Sequence, residues 1–282
     1  MFSQKDILDF SELITSVRQI TTQWEQQGAR PTEDLWFRGL SRSEHSLIPA
    51  LYRPEIKKLE YDEVTLYERF KARAVALADT RIQSDWDWYC LAQHHGLPTR
   101  LLDWTENLLT ALYFAIRAEF EDEASERRRA EKSRPRHTEH YGDSSPAIWM
   151  LDPISLNEYA SGPDDGYLIS VGGAITQAYL PENISERGAG NRAPLSILPS
   201  HTNQRLIAQQ GTFTIHGHET TPIDELAKSG KGRSQVRIAQ LRLNIEATSE
   251  FWEILELLGV SRLSLFPDLD ALAAWIKTTC RY

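Results

Sequence analysis

The chain has 282 residues and a formal net charge of −9 at pH 7, with 31 Lys and Arg against 40 Asp and Glu. That balance argues against non-specific nucleic-acid binding, which needs cations to neutralise phosphates, and leaves only a local basic groove open. No apolar run approaches the roughly 18 residues of a membrane helix, so no membrane partner is expected.

Residues 6–27 carry Ile7, Leu8, Phe10, Leu13, Ile14, Val17, Ile20 and Trp24 at helical spacing until Gly28, which predicts a packing helix. Residues 35–39 read as a short aromatic strand that delivers Arg38 to a glycine, a residue able to turn the chain or let a ligand approach the backbone. Helices are expected over residues 62–80 and 86–93. Gly96 and Pro98 then break the chain. Asp103 stands three residues before Glu106, the spacing of a capping box, which predicts a helix beginning at Asp103 or Trp104 and running past Ile116.

Residues 119–145 are dominated by charge, first acidic and then basic, with Glu123, Glu126 and Glu131 among the arginines, and read as an exposed insertion. Strands are expected at residues 147–151, 195–198, 212–216 and 236–243. A helix over residues 247–258 should close at Gly259, followed by a short strand at 263–266 and a last helix at 269–279. No repeat and no long linker divides the chain, so residues 1–282 are expected to form one domain.

The 8 Trp, 10 Tyr and 9 Phe supply ample core without metals or disulfides. Cys90 and Cys280 lie far apart and outside any spaced Cys/His array, so no metal site is expected. The residues Met1-Phe2-Ser3-Gln4-Lys5-Asp6 lack the apolar stretch of a secretory signal, and a reducing cytoplasm is the expected compartment.

Trp36-Phe37-Arg38-Gly39, the run from Gln93 to Trp104, Ala111-Leu112-Tyr113-Phe114-Ala115, Arg205 with Gln209-Gln210-Gly211-Thr212-Phe213, and Leu265-Phe266-Pro267-Asp268-Leu269-Asp270 together resemble the FRG-domain family, named for its Phe/Tyr-Arg-Gly motif. On that resemblance the motif-bearing core is residues 30–282. A looser resemblance runs to ADP-ribosyltransferases, whose first core strand ends in an NAD-holding arginine and whose Ser-Thr-Ser/Thr segment leads into a helix ending Ala-x-x-Phe/Tyr-Ala. Asp103-Trp104-Thr105 takes that segment's place here, and Gln209 and Gln210 stand where the transferases have a glutamate. The fold implied is α+β, a single domain with a central, mostly antiparallel split sheet flanked by helices.

The resemblance implies a site with Arg38, His95 and Gln210 in catalytic roles. It further implies Arg38, Gly39, His94, Thr99, Arg100, Asp103, Trp104, Thr105, Gln209 and Phe213 around a nucleotide. The residue chemistry is compatible. Arg38 offers a planar fork of charge-assisted donors to a phosphate or carboxylate, or else braces a loop. Arg100, three residues before Asp103, suits an ion pair at least as well as a ligand. His94 and His95 could act as acid or base, and on one strand they would point to opposite faces, leaving at most one for a substrate. Asp103 could orient a ribose hydroxyl or cap a helix. Glutamines bind or polarise but do not abstract protons. Trp104, Phe37 and Phe213 could stack on a base or pack in the core.

Two readings follow. In the first, the chain is an NAD-using ADP-ribosyltransferase-like or NAD-hydrolysing effector, a toxin or phage-defence component, with NAD as substrate, a protein target and no tightly bound cofactor. In the second it is a non-catalytic module that binds a nucleotide or a protein through the same pocket.

Overall fold

The first helix shows how local chemistry sets the boundaries. In α1 (Phe10–Gln26) Asp9 accepts from the Glu12 amide at 2.8 Å, Leu13, Ile20 and Trp24 turn inward, and Gly28 ends the helix at φ +89°. The structure is a computed structural model that describes residues 6–29, 35–78, 82–120, 144–162, 166–184, 191–200, 203–229 and 235–280.

Among the described residues seven strands form one sheet: β1 (Trp36–Leu40), β2 (Leu101–Thr105), β3 (Ala147–Leu151), β4 (Ile169–Ser170), β5 (Leu195–Leu198), β6 (Gly211–Ile215) and β7 (Ile238–Arg242). Their order is β4-β5-β6-β2-β1-β3-β7, antiparallel throughout except for the parallel β4–β5 pair. β2 meets β6 over five residue pairs and β1 meets β3 over five, yet β1 and β2 share a single register pair, Phe37↔Thr105. The sheet is continuous and mostly antiparallel, as expected, with its two five-pair ladders meeting at the short β1–β2 pairing.

Alternation along β1 sends Trp36 to one face and Phe37 and Gly39 to the other. Trp36 packs with Leu47, Leu102, Trp104, Leu151 and Leu156, while Phe37 joins the larger core built from α1, α4 (Leu108–Ile116) and α7 (Thr248–Leu257). A methyl group at Gly39 would collide with the Ala111 carbonyl and lie 2.6 Å from the Ala115 nitrogen. Gly39 is therefore required by the close approach of α4 to β1.

Three local expectations are corrected. Asp103 does not begin a helix: β2 continues to Thr105 with Asp103 paired to Phe213, and Asn107 caps α4 by accepting from the amides of Leu109 and Thr110 at 2.9 and 3.2 Å. The Asp103/Glu106 spacing matches a capping box, but the ladder with β6 holds this segment extended through Thr105. His94 and His95 do not lie on a strand. They end α3 (Asp85–His94), which starts at a reciprocal Ser84/Asp87 capping box and stops at Gly96, φ +82°. Finally, residues 263–266 are no strand: α8 (Arg262–Leu265) is a helical turn fixed by Ser261 and Ser264, each side chain accepting from the other's amide at 3.3 and 2.9 Å.

Most of the expected insertion, residues 121–143, lies outside the described residues. Its first two residues are buried: Glu119 accepts from the Thr248 hydroxyl at 3.0 Å, and Phe120 stacks on Trp252 with centroids 4.6 Å apart. Ser145 is buried at the other end. Both described ends of the expected insertion are therefore packed into the fold rather than exposed.

Candidate functional site

Where β1 and β2 part, the structure opens a cleft of about 490 Å³. Its walls come from β1, β2, the end of α3, the end of α4 and α6 (Gln204–Ala208). Of the residues expected at a site, it gathers Arg38, Gly39, His94, Asp103, Trp104, Thr105, Gln209 and Phe213. Thr99, Arg100, His95 and Gln210 do not line it.

Arg38 spans the seam between the two ladders. Its Nη1 donates to the Asp103 carbonyl and stands 3.7 Å from Asp103 Oδ2. The guanidinium is 15% exposed, and burial lowers its proton affinity while Asp103 raises it. Asp103, 58% exposed, also accepts from Gln93 Nε2 at 3.1 Å, and Gln93 Oε1 in turn accepts from the buried Thr99 hydroxyl. Thr99 thus orients Gln93, and Gln93 orients the carboxylate; Thr99 supports the site from behind.

Arg100 does something else. It is 1% exposed, its Nε donates to Glu63 Oε2 at 2.7 Å, and its remaining nitrogens donate to the carbonyls of His216 and Tyr179. Its ion-pair partner is Glu63 on α2 (Glu63–Ala74), not Asp103. A guanidinium this buried and this fully bonded ties three segments together.

His94 faces the cleft with its pKa pushed down to about 4 by burial, with Arg205 and His95 adding to the fall, so it is neutral at pH 7. His95 is exposed and turned toward Phe70. Cys90 also lines the cleft, and burial raises its thiol pKa, which keeps it protonated.

The glutamines are committed to the turn before β6. Gln209 donates from Nε2 to the Leu265 carbonyl at 3.0 Å, and its own carbonyl accepts from Thr105 Oγ1 at 2.6 Å. Gln210 adopts φ +46°, is exposed, and presents its carbonyl to the Glu106 amide at 3.0 Å. Trp104 donates its indole N–H to Thr214 Oγ1 at 3.1 Å and is buried, as is Phe213. Both supply wall rather than an open stacking face.

Sequence reasoning did not place Arg117 and Arg205 at the site, yet both line it. Arg117 follows Phe114 by three residues, a helical spacing that brings its guanidinium 4.9 Å from that ring and could have flagged it. Arg205 lies 4.4 Å from the Phe266 ring, a contact that only the fold creates. Among the described residues, no group of three His, Cys, Asp or Glu side chains could hold a metal ion.

A family model for the FRG domain matches residues 33–124. Over that segment the chain is similar to the FRG domain. The matched segment contains Arg38, Gly39, the run from Gln93 to Thr105 and α4, so it supplies the seam, its arginine and its carboxylate. Arg205, Gln209 and Phe213 complete the cleft from beyond the FRG segment. No curated protein and no solved structure matches the chain.

Proposed function

We propose that the cleft binds an NAD-class nucleotide and that the chain is an ADP-ribosyltransferase-like or NAD-hydrolysing effector acting on it, in the setting of a toxin or phage-defence system. The observation that carries this reading is the Arg38–Asp103 pair where β1 meets β2: a cationic fork and a half-exposed carboxylate side by side in one cleft. The mostly antiparallel sheet with an arginine on β1 supports the ADP-ribosyltransferase-like fold as part of the same proposal.

The chemistry follows from charge. Breaking the bond between ribose and nicotinamide leaves positive charge on the sugar, and a fixed carboxylate stabilises such a cation far better than bulk water does. Asp103, held by Gln93 and Arg38, is the carboxylate available for this, since Asp87, the other acid lining the cleft, is buried and accepts from the amides of Gln83 and Ser84. His94, neutral at pH 7, can donate or accept a hydrogen bond to the ligand.

The second reading, a nucleotide-binding module without turnover, is favoured by the engagement of Gln209 and Gln210 in the turn before β6. Incubation with NAD labelled in both nicotinamide and adenine decides between them. Nicotinamide release, with label appearing on protein or as free ADP-ribose, supports catalysis. Binding without release supports the module, and neither binding nor release sinks both.

A further inference from the structure

We propose that Arg117 and Arg205, converging on the ring of Phe266, form an anion subsite in the wall of the cleft and take the phosphate of the nucleotide. This rests on the nucleotide reading above and adds to it where the charged end of the ligand sits.

The geometry is specific. Arg205 Cζ lies 4.4 Å and Arg117 Cζ 5.5 Å from the Phe266 centroid, and Arg117 is also 4.9 Å from the Phe114 centroid. Phe114, Arg117 and Arg205 all line the cleft. Burial lowers the proton affinity of Arg205 most, Asp103 raises it, Arg117 lowers it further and Asp268 raises it, the Arg117 effect being the repulsion of two like charges at one ring. Among the described residues the Arg205 guanidinium makes no hydrogen bond or ion pair, and its nearest acids are engaged: Asp268 caps α9 (Leu269–Thr279), accepting from the Ala271 amide at 2.7 Å, and Asp103 accepts from Gln93 and Arg38. An anion entering here gives the Arg205 guanidinium the charged partner it lacks among the described residues, beside a second cation at the same ring.

Arg38 serves a phosphate less well. Its Nη1 is given to the Asp103 carbonyl, and the Asp103 carboxylate 3.7 Å away already compensates its charge. A pyrophosphate has oxygens and charge enough to accept from two separate guanidinium forks.

The test is calorimetric titration of the full chain with inorganic pyrophosphate, ADP-ribose and adenosine, using wild type, Arg205→Gln, Arg117→Gln and the conservative Arg205→Lys, each checked by a melting curve. Losing charge-assisted hydrogen bonds should weaken pyrophosphate and ADP-ribose about tenfold or more in both glutamine variants, while Arg205→Lys retains part of the affinity and adenosine binding is unchanged. Folded glutamine variants that bind pyrophosphate as wild type does would overturn the subsite. If wild type binds pyrophosphate through Arg205 but ignores ADP-ribose, the subsite stands and the nucleotide reading falls. If ADP-ribose binds equally to wild type and both variants, that reading stands and the subsite falls. A wild-type chain that binds neither overturns both.

Discussion

Arg38 on β1 donates to the backbone carbonyl of Asp103 on β2, so the arginine that faces the cleft also clamps the two halves of the sheet where they share a single register pair. Arg38→Lys should therefore reduce both nucleotide affinity and stability. Lysine keeps the charge but loses the fork that can serve the carbonyl and a ligand together. A charge-assisted hydrogen bond contributes about 1.5–3 kcal/mol, so a melting curve should show a drop of several degrees alongside weaker nucleotide binding. A variant that melts like the parent would show that the clamp contributes nothing.

Gly39→Ala tests a different demand on the same motif. The added methyl meets the Ala111 carbonyl and the Ala115 nitrogen, both rigid backbone of α4. Overpacking of this kind costs about 3 kcal/mol, and here the obstacle cannot rotate away. Urea unfolding should show a clear fall in midpoint. An unchanged midpoint would mean that α4 can retreat from β1, contrary to the packing described.

Glu63→Gln should be far more damaging than a surface carboxylate substitution. It leaves the Arg100 guanidinium, 1% exposed, without its counter-charge, and breaking a buried pair from one side costs about 3–5 kcal/mol. The expected result is a protein that melts much lower or fails to accumulate in soluble form. Retained stability would move Arg100 back among the ligand-binding candidates.

His216 is fully buried, and burial pushes its pKa down to about 3. Below the ordinary histidine pKa of about 6.5 the unfolded chain takes up a proton that the folded chain refuses, so stability falls as pH drops from about 6.5 toward 3. The slope from one such group is about 1.4 kcal/mol per pH unit. His94 contributes in the same direction down to about pH 4, with a smaller effect because it is only half-buried. His216→Phe should flatten the acid limb of stability against pH between 6 and 4; an unaltered limb would place the acid sensitivity elsewhere.

The amino-acid sequence determined what depends on neighbours along the chain. α1 follows from its apolar spacing and Gly28, β1 and β3 from short apolar runs, and α9 from its own periodicity with Asp268 at its start. Arg38, Gly39 and Asp103 stood out as a motif before any contact was visible. The local rules failed where two structures share one pattern. Asp103 and Glu106 have capping-box spacing, yet the five pairs of β2 with β6 outweigh a cap, and Asn107 takes that role. Only the tertiary structure decided which polar groups share a space. It sent Arg100 into the core with Glu63, fixed Gln209 against Leu265, turned His95 outward, and brought Arg117 and Arg205 together at Phe266 from segments far apart in the chain. The physical reason is one of range: capping and periodicity act within a turn or two, whereas burial and charge pairing depend on which distant segments pack together.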